Sequence, residues 1–274
     1  MIPLTWLYVP GDRPEVVAKA LVAGADVVVV DLEDAVAPDR KAYARAATAE
    51  LLSDPRPKPV HVRVNALDGP QAGADLRALA ALPGLSGLRL PKVTSPGQIA
   101  RVAERTASGA GDGPALYALL ESALGVERAH AIAGAHPALR GIGLGETDLR
   151  ADLGVREDGG LDWSRSRIIV AARAAGLPAP PQSVHPDTRD LEGLTTSCAH
   201  GRALGFLGRA AIHPRQLPII ERSYLPTERE IEHAERIIKA ATEHEGAQAL
   251  SDGTFIDAAV VAAARTTLSL ARRR

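Results

Sequence analysis

Short apolar runs alternate along the chain with longer segments of mixed polarity. The clearest run is Val27-Val28-Val29-Val30, which is too short for a useful helix and predicts a strand buried on both faces, as in parallel sheets covered by helices. Similar runs predict seven further strands, at residues 5–9, 60–64, 87–90, 115–120, 139–144, 180–184 and 208–212. The run at 180–184 is the weakest signal, because Pro180 and Pro181 cannot donate hydrogen bonds to a sheet.

Segments with helical character follow several of these strands. They are predicted at residues 14–22, 39–52, 163–175 and 191–204. Pro14 stands in a first helical turn, and Pro55, Pro57 and Pro59 end the second of these helices. Strands that alternate with helices, without a break in composition, predict an α/β fold: one closed TIM (β/α)8 barrel over residues 1–222.

Residues 223–274 form a predicted C-terminal helical extension. Thr227 and Glu230 make a capping box at the start of a charged helix that reaches residue 245, and a loop follows at 246–254. The last helix, 257–272, is rich in alanine and apolar over much of its surface. Because no further sheet remains to be covered, we expect the extension to pack on a neighbouring subunit or to close over the site.

Composition narrows the class of protein and its partners. The length of 274 residues suits a barrel, and 46% hydrophobic residues with a net charge of −1 indicate a globular chain without the basic excess of a nucleic-acid-binding protein. No apolar run approaches the roughly 20 residues of a membrane span, so no membrane partner is expected. The single cysteine, Cys198, excludes an intrachain disulfide and fits a reducing, cytoplasmic compartment. We interpret it as an inert thiol, because His200 lies two residues away and would not face it on a helix.

Polar residues stand at the carboxyl ends of most predicted strands. They are Asp31, Glu33, Asp34, Arg63, Asn65, Lys92, Glu121, Asp148 and His213. A barrel places all these strand ends around one rim, where the active sites of such folds lie. The cluster of three acids after the valine run has two equally weighted interpretations. The acids could bind a metal ion or take part in proton transfer, or they could lie in a solvated loop that caps the next helix.

Two of these acids are suited to a metal ion. Glu121 and Asp148 offer hard oxygen ligands, and Mg²⁺ commonly takes one or two carboxylates and completes its shell with water and substrate oxygens. The sequence has no Cys/His pattern with zinc spacing. Asp152 follows Asp148 by one helical turn, but we interpret it as a partner of the helix dipole in the first turn rather than as a ligand.

Two basic side chains have alternative interpretations. Arg63 is a planar fork suited to holding a substrate carboxylate, and it could instead form a salt bridge to the acidic cluster. Lys92 could form a Schiff base or neutralise a neighbouring carboxylate. We prefer neutralisation, because so many acids are expected nearby.

Seven motifs appear in an order that resembles a known family. They are LYVPG (7–11), DLEDAV (31–36), VRVN (62–65), LPKV (90–93), LESALG (120–125), GETDL (145–149) and IHPRQ (212–216). The chain resembles the citrate lyase beta-subunit-like proteins of the HpcH/HpaI aldolase superfamily, which includes malyl-CoA and citramalyl-CoA lyases. The resemblance covers nearly the whole chain.

The resemblance implies a chemistry and a set of site residues. It implies a homo-oligomeric TIM barrel, a trimer or hexamer, that uses Mg²⁺ or Mn²⁺ to cleave or form a C–C bond in a 3-hydroxyacyl thioester of coenzyme A. Matched motif by motif, it implies metal binding by Glu121 and Asp148, substrate binding by Arg63 and Glu121, coenzyme A contacts by Tyr8 and Lys19, and acid–base catalysis by Asp257. In relatives this aspartate is delivered from an adjacent subunit.

The chain departs from the family at two places. Residues 182–187 read QSVHPD where relatives carry an aromatic-and-aspartate pattern, and no phenylalanine follows Gly143. The acyl group and its carrier therefore stay open. The alternatives are a 2-oxo acid aldolase or malyl-CoA thioesterase on the same fold, or a partner-dependent subunit of a citrate lyase-type complex that works with a carrier protein.

Overall fold

The structure is a computed structural model that describes residues 2–107, 113–243, 248–249 and 255–273. Its contacts divide the chain into two compact units, Pro3–Glu221 and Met1–Ile2 with Arg222–Arg274. Within the described ranges, no helix has the length and apolar character that crossing a membrane requires.

The larger unit is built on a curled sheet of seven parallel strands. The strands are β1 (Thr5–Pro10), β2 (Val27–Asp31), β3 (Val60–Arg63), β4 (Gly87–Leu90), β5 (Leu116–Leu120), β6 (Leu139–Leu144) and β7 (Arg209–Ala211). Their order across the sheet is β6-β5-β4-β3-β2-β1-β7. The prediction of an α/β fold with a parallel sheet is confirmed. All five residues of β2 are buried, as expected for a strand covered on both faces.

The predicted strand at 180–184 is wrong. The segment makes a single parallel bridge, from Gln182 to Arg209 of β7. The backbone amide of Gln182 donates to the backbone oxygen of Gly208, and the backbone amide of Ala210 donates to the backbone oxygen of Gln182. Pro180 and Pro181 have no amide hydrogen to extend this ladder, so the sheet described is a half-barrel with one bridged segment beside β7.

Ten helices follow the strands. They are α1 (Pro14–Leu21), α2 (Lys41–Leu52), α3 (Ala72–Leu79), α4 (Pro96–Thr106), α5 (Ala123–Glu127), α6 (Ala129–Ala133), α7 (Glu146–Leu153), α8 (Asp162–Ala174), α9 (Leu191–Leu204) and α10 (Leu217–Tyr224). The sequence interpretation missed α3 to α6 and α10, and it indicated α7 only through the one-turn spacing of Asp148 and Asp152. Helices α5 and α6 have five residues each, which is too short to show a helical period. Helix α4 did carry a signal, the capping box of Ser95 and Gln98.

The smaller unit contains two helices and a short hairpin. Its elements are α11 (Glu228–Glu243), β8 (Gln248–Ala249), β9 (Phe255–Ile256) and α12 (Ala258–Ala271), with β8 antiparallel to β9. Ala234 and Ile237 of α11 pack with Ile256 and Ala264, so part of the apolar surface of α12 is buried within its own unit. The loop expected at 246–254 lies outside the described residues, apart from the two that form β8.

Candidate active site

A cavity of about 460 Å³ lies at the carboxyl ends of the strands of the larger unit. Its wall includes Tyr8, Asp31, Arg63, Arg89, Glu121 and Asp148. Tyr8, Arg63, Glu121 and Asp148 are therefore brought together as the sequence interpretation requires. Lys19 is not: it is exposed in the last turn of α1 and does not line the cavity.

Glu121 and Asp148 form a carboxylate pair in this cavity. Glu121 follows β5 and is 4% exposed, and Asp148 lies in the first turn of α7. The turn between β6 and α7 fits closely over Glu121, since a Cβ on Gly145 would lie 2.5 Å from Glu121 Cγ. A side chain at position 145 would displace the glutamate, so the glycine keeps the two acids together.

Burial and the neighbouring acids disfavour the charged form of Glu121. Burial, the nearby charge of Glu33 and the contact with Asp148 raise the pKa of Glu121 to about 8, against the opposing charge of Arg63. Glu121 Oε2 is buried and has no hydrogen-bond partner. Among the described residues, no group of three or more His, Cys, Asp or Glu side chains could hold a metal ion. The protein would therefore supply two ligands here, the carboxylates of Glu121 and Asp148. This donor set fits Mg²⁺, which leaves most of its positions to water and substrate.

Glu121 should make the stability of the metal-free chain depend on pH. Its pKa is raised from 4.5 to about 8 by folding, so the folded state holds more protons than the unfolded state between these values. The free energy of unfolding should therefore fall as the pH rises through this range, by up to about 1.4 kcal/mol per pH unit. Thermal unfolding in EDTA measures this, and Glu121→Gln should flatten the curve. The same pH dependence in both chains would contradict the assignment.

Arg63, at the end of β3, is held in a fixed orientation by Asp31. Its Nε and Nη2 donate to the two oxygens of Asp31 at 2.7 and 2.6 Å. Nη1 lies 3.0 Å from Glu33 Oε2 and 3.6 Å from Asp34 Oδ2. Although burial opposes it, hydrogen bonding to Asp31 raises the pKa of Arg63 above its ordinary value. The salt bridge to the acidic cluster is thus present, and a ligand carboxylate would have to compete with Glu33 and Asp34 for Nη1.

Lys92 pairs with the same acidic cluster. Its Nζ lies 2.5 Å from Glu33 Oε1 and 3.4 Å from Asp34 Oδ1. Although burial opposes it, the hydrogen bond to Glu33 raises the pKa of Lys92 above its ordinary value. A lysine held in the ammonium form is a poor nucleophile, which disfavours the Schiff-base alternative. The acids after β2 therefore act mainly as partners of two cations.

Several other candidate residues have structural partners. Asn65 donates two hydrogen bonds to the buried Asp75, one from its backbone amide and one from Nδ2 of its side chain. The side chain of His213 accepts the backbone amide hydrogen of Arg215 and so caps the short 3-10 helix Pro214–Gln216. Asp152 accepts the amide hydrogen of Ala123, the first residue of α5. Asp152 therefore caps a neighbouring helix, and not the first turn of its own as the sequence interpretation had it.

A buried arginine that the sequence interpretation missed fixes the start of α7. Arg165 of α8 is 2% exposed and binds both oxygens of Glu146 at 3.0 and 2.7 Å. It also donates to Asp158 at 2.7 Å and to Asp162 at 3.0 Å. Because Glu146 opens the helix that carries Asp148, this network holds the second acid of the pair in place. No local pattern around Arg165 signals the role.

Asp257 lies in the smaller unit. It is the N-cap residue of α12, where its Oδ1 accepts the amide hydrogen of Val260 at 2.9 Å. Its side chain is exposed. Within its own unit Asp257 therefore caps a helix, and its catalytic role stays a prediction.

Comparison with known proteins identifies similar sequences over nearly the whole chain. The model of the HpcH/HpaI aldolase/citrate lyase family matches residues 4–214. The citrate lyase subunit beta-like protein of Mycobacterium tuberculosis is 36% identical over 271 residues, which cover 96% of this chain and 93% of the relative. The (3S)-malyl-CoA thioesterase of Cereibacter sphaeroides is 36% identical over 273 residues, which cover 97% of this chain and 93% of the relative.

A solved structure extends the similarity to the backbone. The CitE protein of Mycobacterium tuberculosis, in complex with magnesium, acetoacetate and coenzyme A, has a TM-score of 0.83 and 36% sequence identity, and the match covers 98% of each chain. The family model spans the whole sheet and the cavity at its carboxyl ends. The chain therefore belongs to the HpcH/HpaI aldolase/citrate lyase family of enzymes.

Proposed function

We propose that this chain is a Mg²⁺-dependent carbon–carbon lyase that cleaves or forms a 3-hydroxyacyl thioester of the malyl-CoA or citramalyl-CoA kind. The observation that carries the proposal is the Glu121–Asp148 carboxylate pair, placed with Arg63 around one cavity at the carboxyl ends of the strands. The similar CitE protein complexed with magnesium, acetoacetate and coenzyme A supports both the metal and the thioester.

Each residue of the cavity has a defined task in this proposal. Glu121 and Asp148 would hold the metal, which, when bound, polarises the oxygen of a 2-oxo acid and stabilises negative charge there. Arg63, oriented by Asp31, would bind the carboxylate of that acid through Nη1, in place of its ion pairs with Glu33 and Asp34. Tyr8 would contact coenzyme A from the cavity wall. Lys19 was assigned the same task by resemblance, but its exposed position outside the cavity gives this assignment no support.

The proposal includes the assembly. The strand order, with Gln182 bridged to β7, supports a closed barrel in which the 180–184 segment takes the eighth position. We propose a homo-oligomer, a trimer or hexamer, in which residues 223–274 pack on a neighbouring subunit. Asp257 of that neighbour would then move the proton at the acetyl-thioester carbon.

A thioesterase is the second candidate. A relative at 36% identity over almost the whole chain is a (3S)-malyl-CoA thioesterase. Both reactions start from the same kind of thioester and differ in the bond that breaks. The C–C bond breaks in the lyase, and the C–S bond breaks by addition of water in the thioesterase.

The products of one assay separate these candidates. The purified chain is incubated with malyl-CoA or citramalyl-CoA, with Mg²⁺ or with EDTA, and the products are resolved by chromatography. A lyase yields acetyl-CoA and a 2-oxo acid, whereas a thioesterase yields free coenzyme A and a hydroxy diacid. Turnover that survives EDTA would contradict the metal-dependent lyase. Turnover only after addition of a carrier protein would indicate a partner-dependent subunit.

Arg63→Lys should separate charge from geometry. Lysine keeps the positive charge but cannot bind Asp31 through two parallel hydrogen bonds and present a third group to a ligand. We expect kcat/KM to fall by a factor that corresponds to a loss of about 2–3 kcal/mol in transition-state stabilisation, which is the contribution of a hydrogen bond to a charged group. Steady-state kinetics measures this. Asp31→Asn, which weakens the same orientation, should change activity in the same direction. Unchanged turnover and unchanged 2-oxo acid binding in Arg63→Lys would mean that Arg63 is structural.

A further inference from the structure

Two acids that follow β2 are shared between two cations. Glu33 places Oε2 3.0 Å from Arg63 Nη1 and Oε1 2.5 Å from Lys92 Nζ. Asp34 repeats the pattern, with Oδ2 3.6 Å from Arg63 Nη1 and Oδ1 3.4 Å from Lys92 Nζ. Each carboxylate thus faces Arg63 with one oxygen and Lys92 with the other. The two cations therefore compete for the same pair of acids.

The contacts with Lys92 are the better formed. Its Nζ donates a hydrogen bond to Glu33 Oε1 and a longer one to Asp34 Oδ1. Glu33 Oε2, by contrast, is buried and accepts no hydrogen bond from the described part of the chain, although Arg63 Nη1 lies only 3.0 Å away. The hydrogens of Nη1 therefore do not point at this oxygen. An ion pair without an aligned hydrogen bond is weaker than a charge-assisted hydrogen bond, so Arg63 is the cation that gives up Glu33 more easily.

Arg63 does not need Glu33 to balance its charge, whereas Glu33 needs a cation. Asp31 binds Arg63 through Nε and Nη2, so Nη1 can leave Glu33 while the guanidinium keeps a carboxylate partner. Glu33 is 4% exposed, and a buried carboxylate without a cation is costly. A ligand carboxylate can therefore take Nη1 at low cost only if another cation continues to hold Glu33. Lys92 is in position to do this.

The backbone of Lys92 is strained. Its φ is 53°, in the left-handed region, and no other non-glycine residue in the described ranges has a positive φ. A Cβ makes this conformation unfavourable, whereas glycine adopts it without that cost. Strained positions of this kind cluster at functional sites. A lysine stands here where glycine would be easier, which indicates a task for its ammonium group.

We propose that Lys92 is a positioning residue that releases Arg63 for the carboxylate of the substrate. When that carboxylate binds Nη1, Glu33 and Asp34 pass from Arg63 to Lys92, so neither acid is left without a cation. Lys92 does not line the cavity and acts only through the two acids. This inference rests on the proposed function, which assigns the substrate carboxylate to Arg63.

Isothermal titration with pyruvate, the 2-oxo acid that citramalyl-CoA would release, measures the effect. Each chain is titrated at a Mg²⁺ concentration that saturates it, so that changes in metal affinity do not contribute. We expect Lys92→Met to bind pyruvate about tenfold more weakly than the native chain, because Glu33 then competes for Nη1 without its other partner. Lys92→Arg, which keeps the charge, should retain most of the affinity. Lys58→Met is a control that removes a lysine bonded to the backbone oxygen of Ala25 at the amino ends of the strands, and it should leave the affinity unchanged.

A second substitution separates this task from a direct contact with the ligand. Glu33→Gln keeps the shape of the side chain and removes the charge that competes for Nη1. In the Glu33→Gln background, Lys92→Met should therefore weaken pyruvate binding by about threefold at most. A lysine that contacted the ligand, or that only kept the fold, would cause the same tenfold loss, roughly, in both backgrounds.

Three outcomes would overturn the inference while the proposed function stands. They are unchanged or tighter pyruvate binding in Lys92→Met, an equal loss in both backgrounds, and an equal loss in Lys58→Met. If Lys92→Met does not fold, Lys92→Gly takes its place, because glycine accepts the positive φ of this position. A native chain that does not bind pyruvate at saturating Mg²⁺ would overturn the proposed function and this inference with it.

Discussion

Glu121→Gln should abolish Mg²⁺-dependent turnover while the chain remains folded. The substitution keeps the shape of the side chain but replaces a carboxylate by a neutral amide, which is a much weaker ligand for a hard cation. Glu121 Oε2 is buried without a hydrogen-bond partner, so no protein group compensates for the change. Since metal-ion catalysis contributes several kcal/mol of transition-state stabilisation, turnover should fall on the order of a thousandfold.

Metal binding itself decides whether this loss has the stated cause. Isothermal titration with Mg²⁺ or Mn²⁺ should show binding in the native chain and little in Glu121→Gln. Asp152→Asn is a matched control, because Asp152 lies one turn beyond Asp148 and an asparagine oxygen can still accept the amide hydrogen of Ala123. Unchanged metal affinity in Glu121→Gln would make the metal assignment wrong, even if activity were lost.

The same variant should be more stable than the native chain when both are free of metal at high pH. The native chain must ionise a buried carboxyl with a pKa of about 8, whereas glutamine never does. Loss of activity combined with gained stability is the pattern of a site residue whose charge costs folding energy. A variant that loses both would indicate a damaged fold.

The sheet could be predicted because its strands are buried on both faces. The valine run of β2 and the apolar runs of β3 to β6 show this burial directly in the sequence. The 180–184 segment has a single aliphatic residue, Val184, and its two prolines remove hydrogen bonds that a ladder needs. Helices of five residues, such as α5 and α6, are stabilised by tertiary packing, and no pattern in so short a segment reveals it.

From strand positions alone, the candidate site was predictable where a residue stands at a strand end or just beyond it, as Asp148 does after β6. Glu121 and Arg63 stand at strand ends, and the parallel sheet brings such positions to one cavity. Arg89 lies inside a strand, where the sequence predicts core, and Arg165 lies in a helix far from any strand end. Their contributions, to the cavity wall and to the start of α7, depend on which side chains surround them in three dimensions. The sequence also left open the two alternatives for Arg63, because the bond to Asp31 depends on the register of β2 and β3.

Asp257→Asn should remove catalysis without removing the helix cap. Asparagine is as good an N-cap residue as aspartate, so the bond to Val260 and the stability of α12 should be kept. The amide cannot take up or release the proton that the proposed mechanism moves at the acetyl-thioester carbon. We therefore expect kcat to fall by roughly 10²- to 10⁴-fold, the typical contribution of general acid–base catalysis. Asp257→Ala, by contrast, should lose the cap as well, at a cost of about 1 kcal/mol. Full activity in Asp257→Asn would show that its carboxylate serves only as a cap.

Mixing two inactive variants tests whether Asp257 acts on a neighbouring subunit. Asp257→Asn chains and Glu121→Gln chains are combined in equal amounts under conditions of subunit exchange, which mass spectrometry of labelled chains verifies. If each site joins Glu121 of one subunit to Asp257 of the next, about a quarter of the sites in randomly mixed rings regain both residues, and a corresponding share of activity returns. Sites completed within one chain would stay inactive at every mixing ratio. Verified exchange without recovery would therefore contradict the shared site, and Asp257 would have to act within its own chain or only as the cap of α12.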